Sequence, residues 1–364
     1  MRAPAGRLDH AERQQQARRI QQRDHRIGRS QAKRCDQAGA AERTHDAIVF
    51  GVGPEAAQRK KDDEPLNPRR VSSELGGVGP TIVVPGPWSK GDIAFQAEHV
   101  VTQKTHNGGF NCVAAQVLVL PDVWDKSTEF LEAVRNTMRS SKPRTPYYPG
   151  ALERVSKAMD SHAQVDVFDE SRVLLEGNHH QEDHYAFEHE LFCGVLAQTS
   201  LPGDTAKEFL RNAVDFANNK LHGTLGANIL IHPKTIKALG PKFDEIIADL
   251  KYGTIAINAW VGVGFLMARA TWGAFPGHER SDIQSGVGVV HNALLFDKPQ
   301  KTVVRAPFRE FPASLAVGET SILPHPPWLT TNKMGHEVMQ RLTAFSADPG
   351  WKHVPGIFKF ALKG

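Results

Sequence analysis

Apolar residues along the chain fall into short continuous runs, separated by stretches in which they recur at helical spacing, and that alternation predicts an α/β fold. The runs Thr81 to Val84, Val113 to Leu120, Arg172 to Leu175, Val195 to Thr199, Asn228 to His232 and Thr254 to Asn258 read as strands. Between them, Phe130, Leu131, Val134 and Met138 lie on one face of a helix that Ser127 is placed to cap. A second helix starts at Asp204, turns Phe209, Leu210, Ala213, Val214 and Ala217 inward, and ends near His222-Gly223. Nearer the start, Ala47-Ile48-Val49-Phe50 reads as a strand and Gly51-Val52-Gly53 as a turn, with Pro54 in the first turn of a helix reaching Lys61. The stretch from Ala306 to Gly364 is rich in Pro and aromatic residues and is expected to wrap over the body or a partner subunit.

The first 44 residues break this pattern. Met1, Leu8, Ile20 and Ile27 are their only large apolar residues, too few to offset the entropy of ordering, so a disordered or frayed leader is expected. That leader carries eleven Lys or Arg against five Asp or Glu, while the whole chain nets only +4. The remainder is therefore mildly acidic and has no general attraction for nucleic acid. The leader has no aromatic residue for base stacking and its acids are interspersed, so it reads as a solvated tail rather than a nucleic-acid arm. With 364 residues, 40% of them hydrophobic, the chain has ample core. Its three cysteines, Cys35, Cys112 and Cys193, cannot form a disulfide framework, which points to the reducing cytoplasm. The longest uncharged apolar stretch, Gly253 to Ala268, falls short of the roughly 20 residues a membrane span needs. No secretory signal precedes it.

Chemistry-bearing residues are few. In Asn107-Gly108-Gly109-Phe110-Asn111-Cys112 two glycines permit a tight turn, and a Cys where the next segment begins can receive N–H dipoles that lower its pKa. Cys112 is a candidate nucleophile, although a small buried Cys is the commoner fate; Cys193, inside an apolar run, reads as packing. Glu74 enters the diglycine turn Gly76-Gly77 and is a carboxylate that could activate water. The cluster His179-His180-Gln181-Glu182-Asp183-His184 has ligand types without finger spacing and is expected to be a polar loop, with no metal assigned.

Phe50-Gly51-Val52-Gly53, Glu74-Leu75-Gly76-Gly77, Asn107 to Cys112, Glu190-Leu191-Phe192, Asn258 and Ser285-Gly286-Val287-Gly288 follow one another in an order that closely resembles the aldehyde dehydrogenase superfamily over about residues 46 to 305. The resemblance implies an aldehyde dehydrogenase-like catalytic domain with a remnant of a Rossmann-type cofactor domain. It assigns Cys112 as nucleophile, Glu74 as general base, Glu190 as the acid on the nicotinamide ribose, and Gly51 and Gly53 as the turn at the cofactor pyrophosphate. The activity implied is oxidation of an aldehyde to its acid through a cysteine thiohemiacetal and thioester, with hydride passed to NAD or NADP. A small aldehyde and a second copy of the chain are the partners implied. In the family a long cofactor-binding segment precedes the Phe-Gly-Val-Gly match, so the resemblance implies a C-terminal part: leader 1–44, cofactor-domain remnant 45–75, catalytic domain 76–290 and C-terminal segment 291–364. The alternative is an inactive fragment serving as a subunit or binding module. Phe110 stands where the family has Gln, and Cys193-Gly194 where it has Gly-Pro; Phe110, with Trp260 and Phe265, would favour an apolar aldehyde.

Overall fold

The computed structural model describes residues 37–162 and 164–364. Most of the leader expected to be disordered lies outside the described residues. An eight-stranded sheet forms the centre, in the spatial order β10-β8-β7-β2-β3-β6-β5-β4. Its strands are β2 Gly79–Val83, β3 Ala115–Pro121, β4 Gln164–Val167, β5 Arg172–His179, β6 Gly194–Leu201, β7 Gly226–Leu230, β8 Thr254–Ile257 and β10 Thr302–Arg305. Every neighbouring pair is parallel except β4 with β5 at the edge. A parallel sheet must be covered on both faces, which is why its strands are uninterrupted apolar runs.

Alternation along those strands divides the core. Ile82, Val117, Val119, Val173, Leu175, Val195, Ala197 and Ile229 face one cluster, with α5 Ala151–Asp160, α7 Ala206–Lys220 and α9 Pro241–Asp249. Val83, Leu118, Leu120, Leu174, Leu196 and Leu230 face the other, against α3 Lys90–Thr105 and α4 Ser127–Ser140. Phe130, Val134 and Met138 of α4 are fully buried, worth about 1.5–3 kcal/mol each. All five residues predicted to face inward from α7 are buried.

Two local expectations are overturned. Ala47 to Phe50 is not a strand but the end of helix α1 Gln37–Val49, which runs across the expected leader boundary at residue 44. The Ala-rich, β-branch-poor residues before it continue the helix, and among the described residues no strand pairs with this run. Ser127 does not cap α4: its hydroxyl donates to the Pro121 carbonyl at 2.5 Å, and Lys126 holds the cap position. The Gly51-Val52-Gly53 turn and the helix α2 Pro54–Lys61 are as expected, with both glycines at positive φ.

A two-stranded antiparallel ribbon stands apart from the sheet, formed by β1 Ser73–Glu74 and β9 Gly286–Val287. The C-terminal segment returns to α3. Thr330 N donates to Thr102 Oγ1 at 3.0 Å and Leu329 is buried there; α12 Gly335–Ala347 and α13 Val354–Ala361 then pack on each other. No described helix is long and apolar enough to cross a membrane.

Candidate active site

Topology gathers residues that are remote in sequence. β2, β3 and β6 are adjacent and parallel, so the segments that enter them meet at one end of the sheet. Glu74 and Gly76 lie before β2, Cys112 before β3 and Glu190 before β6.

Glu74 is fixed by the ribbon. It pairs with Gly286, whose φ of +127° and whose Cα, where a Cβ would come within 2.1 Å of the Ser73 carbonyl, leave room only for glycine. Ser285 ties the two motifs together: its Oγ donates to the Gly76 carbonyl at 2.8 Å and accepts from Thr224 N at 2.8 Å, while Leu75 N donates to the Ser285 carbonyl at 2.9 Å. The carboxylate itself accepts from Nε1 of the fully buried Trp272 at 3.1 Å. Of these partners, Trp272 is one to which sequence reasoning assigned no role.

Cys112 follows a left-handed turn in which Asn107, Gly108 and Gly109 all have positive φ. Gly109 presses on the Cys193 carbonyl, so closely that a Cβ would come within 2.4 Å of it. Asn111 closes the turn by donating to the His106 carbonyl at 2.9 Å. The sulfur is half-buried beside a small cluster containing Trp260, Trp272 and Val304, and Trp260 Nε1 donates to the Val113 carbonyl at 3.1 Å. Burial first, and then the charges of Glu74 and Glu190, push the Cys112 thiol up to about 12; the N–H groups of Cys112 and Val113 act toward the sulfur in the opposite sense without reversing this. The expected lowering of the thiol pKa is therefore overturned. Cys112 leads into a strand, so no helix dipole aids its ionisation, and two acids share its surroundings.

Glu190 lies against the backbone of Gly76, where a Cβ would come within 2.1 Å of its Oε1. That oxygen is buried without a hydrogen-bond partner among the described residues. Burial pushes the carboxyl up to about 8, opposed by Lys104 and Arg154 and assisted by Glu74. Lys104, which sequence reasoning also missed, is wholly buried; its Nζ donates to Gln116 Oε1 at 3.2 Å, and burial pulls it down to about 8 against the attraction of Cys193 and Glu190. A lone charge in the stretch His99 to Thr105 was the available signal.

Gly51 and Gly53 are not part of this hydrogen-bonded group. They precede α2, which has no side-chain cap, and a side chain at Gly53 would meet nothing within 4 Å. No hydrogen bond or ion pair among the described residues joins them to Cys112, Glu74 or Glu190. The nearest link is His45 of α1, whose Nδ1 lies 2.7 Å from Ser73 Oγ beside Glu74 and whose Nε2 lies 3.0 Å from the Arg280 carbonyl. Phe110, within the turn before Cys112, is buried against Tyr147, Tyr148 and Phe192, a core position; Trp260 belongs to the cluster beside Cys112, and Phe265 packs on Trp272 of that cluster and on His291. Among the described residues no three potential ligands converge on a metal position.

No protein-family model matches the chain, and no curated protein is detectably similar to it. Solved structures do resemble it. The NADP-dependent glyceraldehyde-3-phosphate dehydrogenase of Bacillus halodurans, solved with NADP, is 17% identical over 64% of this chain and 47% of that one, with a TM-score of 0.50. The NAD-dependent aldehyde dehydrogenase of Sinorhizobium meliloti is 16% identical over 68% and 48%, with a TM-score of 0.49. The Mycobacterium tuberculosis aldehyde dehydrogenase, solved with NAD+, is 18% identical over 67% and 48%, with a TM-score of 0.48. The chain thus spans about half the length of the structures it matches. At these identities the likeness is one of fold: the chain has an aldehyde dehydrogenase-like α/β fold.

Proposed function

We propose that this chain is a distant aldehyde dehydrogenase that oxidises a small aldehyde to its acid, with Cys112 as nucleophile and Glu74 as base. The observation that carries the reading is that Glu74, Cys112 and Glu190, from three separate motifs, lie where adjacent parallel strands begin, and that Glu74 bonds to Trp272 of the cluster on which Cys112 packs. A thiol held near 12 does not rest as thiolate, so Glu74 takes its proton as the sulfur bonds to the aldehyde carbon. The oxyanion so formed would be held by the Cys112 backbone N–H. Glu74 gives that proton to solvent once the thioester has formed, then takes one from the water that attacks the thioester carbon and passes it to the departing sulfur, so that the acid leaves and the thiol re-forms.

The fold family implies a nicotinamide cofactor, and two features of this chain fit one. Glu190 Oε1 is a buried acceptor without a donor, as a ribose hydroxyl would supply, and the open start of α2 after Gly51 and Gly53 suits a pyrophosphate. When bound, NAD or NADP supplies the hydride acceptor. On the same reading the chain works as a homo-oligomer in the cytoplasm.

A second reading, an inactive fragment acting as a subunit or binding module, is favoured by the raised Cys112 thiol. Fluorescence titration of the full chain with NADH, followed by assay of aldehyde-dependent NADH formation, decides between them. We expect saturable binding and turnover that falls at least about a thousandfold in Cys112→Ala. No NADH binding, or equal turnover in the variant, overturns the dehydrogenase reading.

A further inference from the structure

Where the C-terminal segment docks on the body, the two enclose a cavity of about 340 Å³. Neither Cys112, Glu74 nor Glu190 lines it. Its walls instead present Lys142, Arg144, Arg172, His106 and His336, with Trp328 as an apolar face and no carboxylate. Arg172 is a fixed part of the wall: its Nε donates to Asp169 Oδ2 at 2.7 Å and its Nη1 to the carbonyls of Met138 and Ser141 at 2.6 and 2.7 Å. Its charge is met. Lys142 and Arg144 differ, because both are exposed at the mouth and neither has an ion-pair partner among the described residues. Burial, and then the charge of Arg144, hold the His106 imidazole below its ordinary pKa.

Two unneutralised cations at one concavity focus a positive potential, and a volume within the range of ordinary ligand pockets gives that potential an occupant's size. The cations are confined to a recess walled by separate chain segments, without the extended basic stripe that a polyanion would need. We propose that this cavity binds a small organic anion, with a phosphate or carboxylate held by Lys142 and Arg144 and a carbon skeleton against Trp328. The site stands whether or not Cys112 performs dehydrogenase chemistry. Occupancy would also be felt near Cys112, since His106 packs on Trp260 at 4.9 Å between ring centroids and Trp260 bonds to Val113.

Calorimetric titration of the full chain with glycerol 3-phosphate and, separately, with succinate tests this. We expect saturable binding of at least one at millimolar concentration or below, weakened at least about tenfold in the double variant Lys142→Ala/Arg144→Ala and unchanged in Lys207→Ala, an exposed lysine on α7. Both mouth residues are exposed, so the double variant should fold, which a matching circular dichroism spectrum and melting temperature would verify. Trp328→Ala should weaken the organic ester and leave inorganic phosphate as it was. Preference for the ester or for succinate identifies the anionic group. Absence of saturation by both, or equal affinity in the double variant, overturns the proposal.

Discussion

Two groups of buried charge sit in this molecule and differ in how completely they are met. Arg135, on α4, donates through Nε to Asp166 Oδ2 at 2.7 Å and to Glu176 Oε1 at 2.9 Å, and its Nη groups reach Glu132 and the second oxygen of Glu176. No buried oxygen or nitrogen in that group lacks a partner. Around Lys104 and Glu190 the opposite holds among the described residues: Glu190 Oε1 has no donor, Gln116 Nε2 and Gln103 Nε2 have no acceptor, and Lys104 has one neutral hydrogen-bond partner. A satisfied network fixes structure, here pinning α4 to β4 and β5. An unsatisfied one leaves buried capacity for hydrogen bonds and protons, which is what a binding or catalytic site requires.

The largest effect expected from this contrast is at Arg135. Arg135→Ala leaves Glu176 and Asp166 facing one another without a cation and should cost about 3–5 kcal/mol, read by urea unfolding. A loss below about 1 kcal/mol would mean that the network is no more than a solvated surface pair, and the contrast would collapse.

Lys104 should respond in the opposite direction. Burial depresses its pKa from 10.5 to about 8, so below pH 8 the folded state carries a charge it disfavours, and the unfolded state binds more protons between pH 8 and 10.5. Wild-type stability relative to Lys104→Met should therefore rise across that window, by up to about 3 kcal/mol, and at pH 7 the variant should be the more stable protein. Melting curves of both proteins at pH 7 and pH 10 measure this. If the difference is flat, Lys104 is compensated as fully as Arg135.

The contrast also shows what was legible in the sequence. Buried parallel strands are continuous apolar runs, so the six predicted in the sheet are present with small shifts of their ends, as when Thr81 to Val84 becomes Gly79–Val83. Helix α3 left no such trace. It touches the sheet on one side and the C-terminal segment on another, and buries Gln96, His99, Thr102, Gln103 and Lys104, so it lacks a clean apolar stripe. Ala47 to Phe50 shows the reverse failure: four apolar residues have the same look at the end of a helix as in a strand, and only a pairing partner distinguishes them. The motif order pointed to Glu74, Cys112 and Glu190. Their environment was not legible, because it rests on contacts such as that between Trp272 and Glu74, 198 positions apart. The direction of the thiol shift was misread for the same reason: the local turn suggests activation, whereas burial and two distant carboxylates outweigh it.

The smallest effect tests that last balance directly. If burial and the acids keep Cys112 protonated, its alkylation by iodoacetamide in a Cys35→Ser background should climb about tenfold per pH unit from pH 7 to 10 without levelling, because only the thiolate reacts. Cys193 is buried and contributes little. Glu74→Gln removes one of the two negative charges acting on the sulfur while retaining an acceptor for Trp272, so alkylation at a fixed pH should quicken by roughly three- to tenfold even as any thioester hydrolysis slows. A profile that levels near pH 9, together with no response to Glu74→Gln, would place the carboxylate outside the field of the sulfur, and the two residues would then be neighbours in the motif order alone.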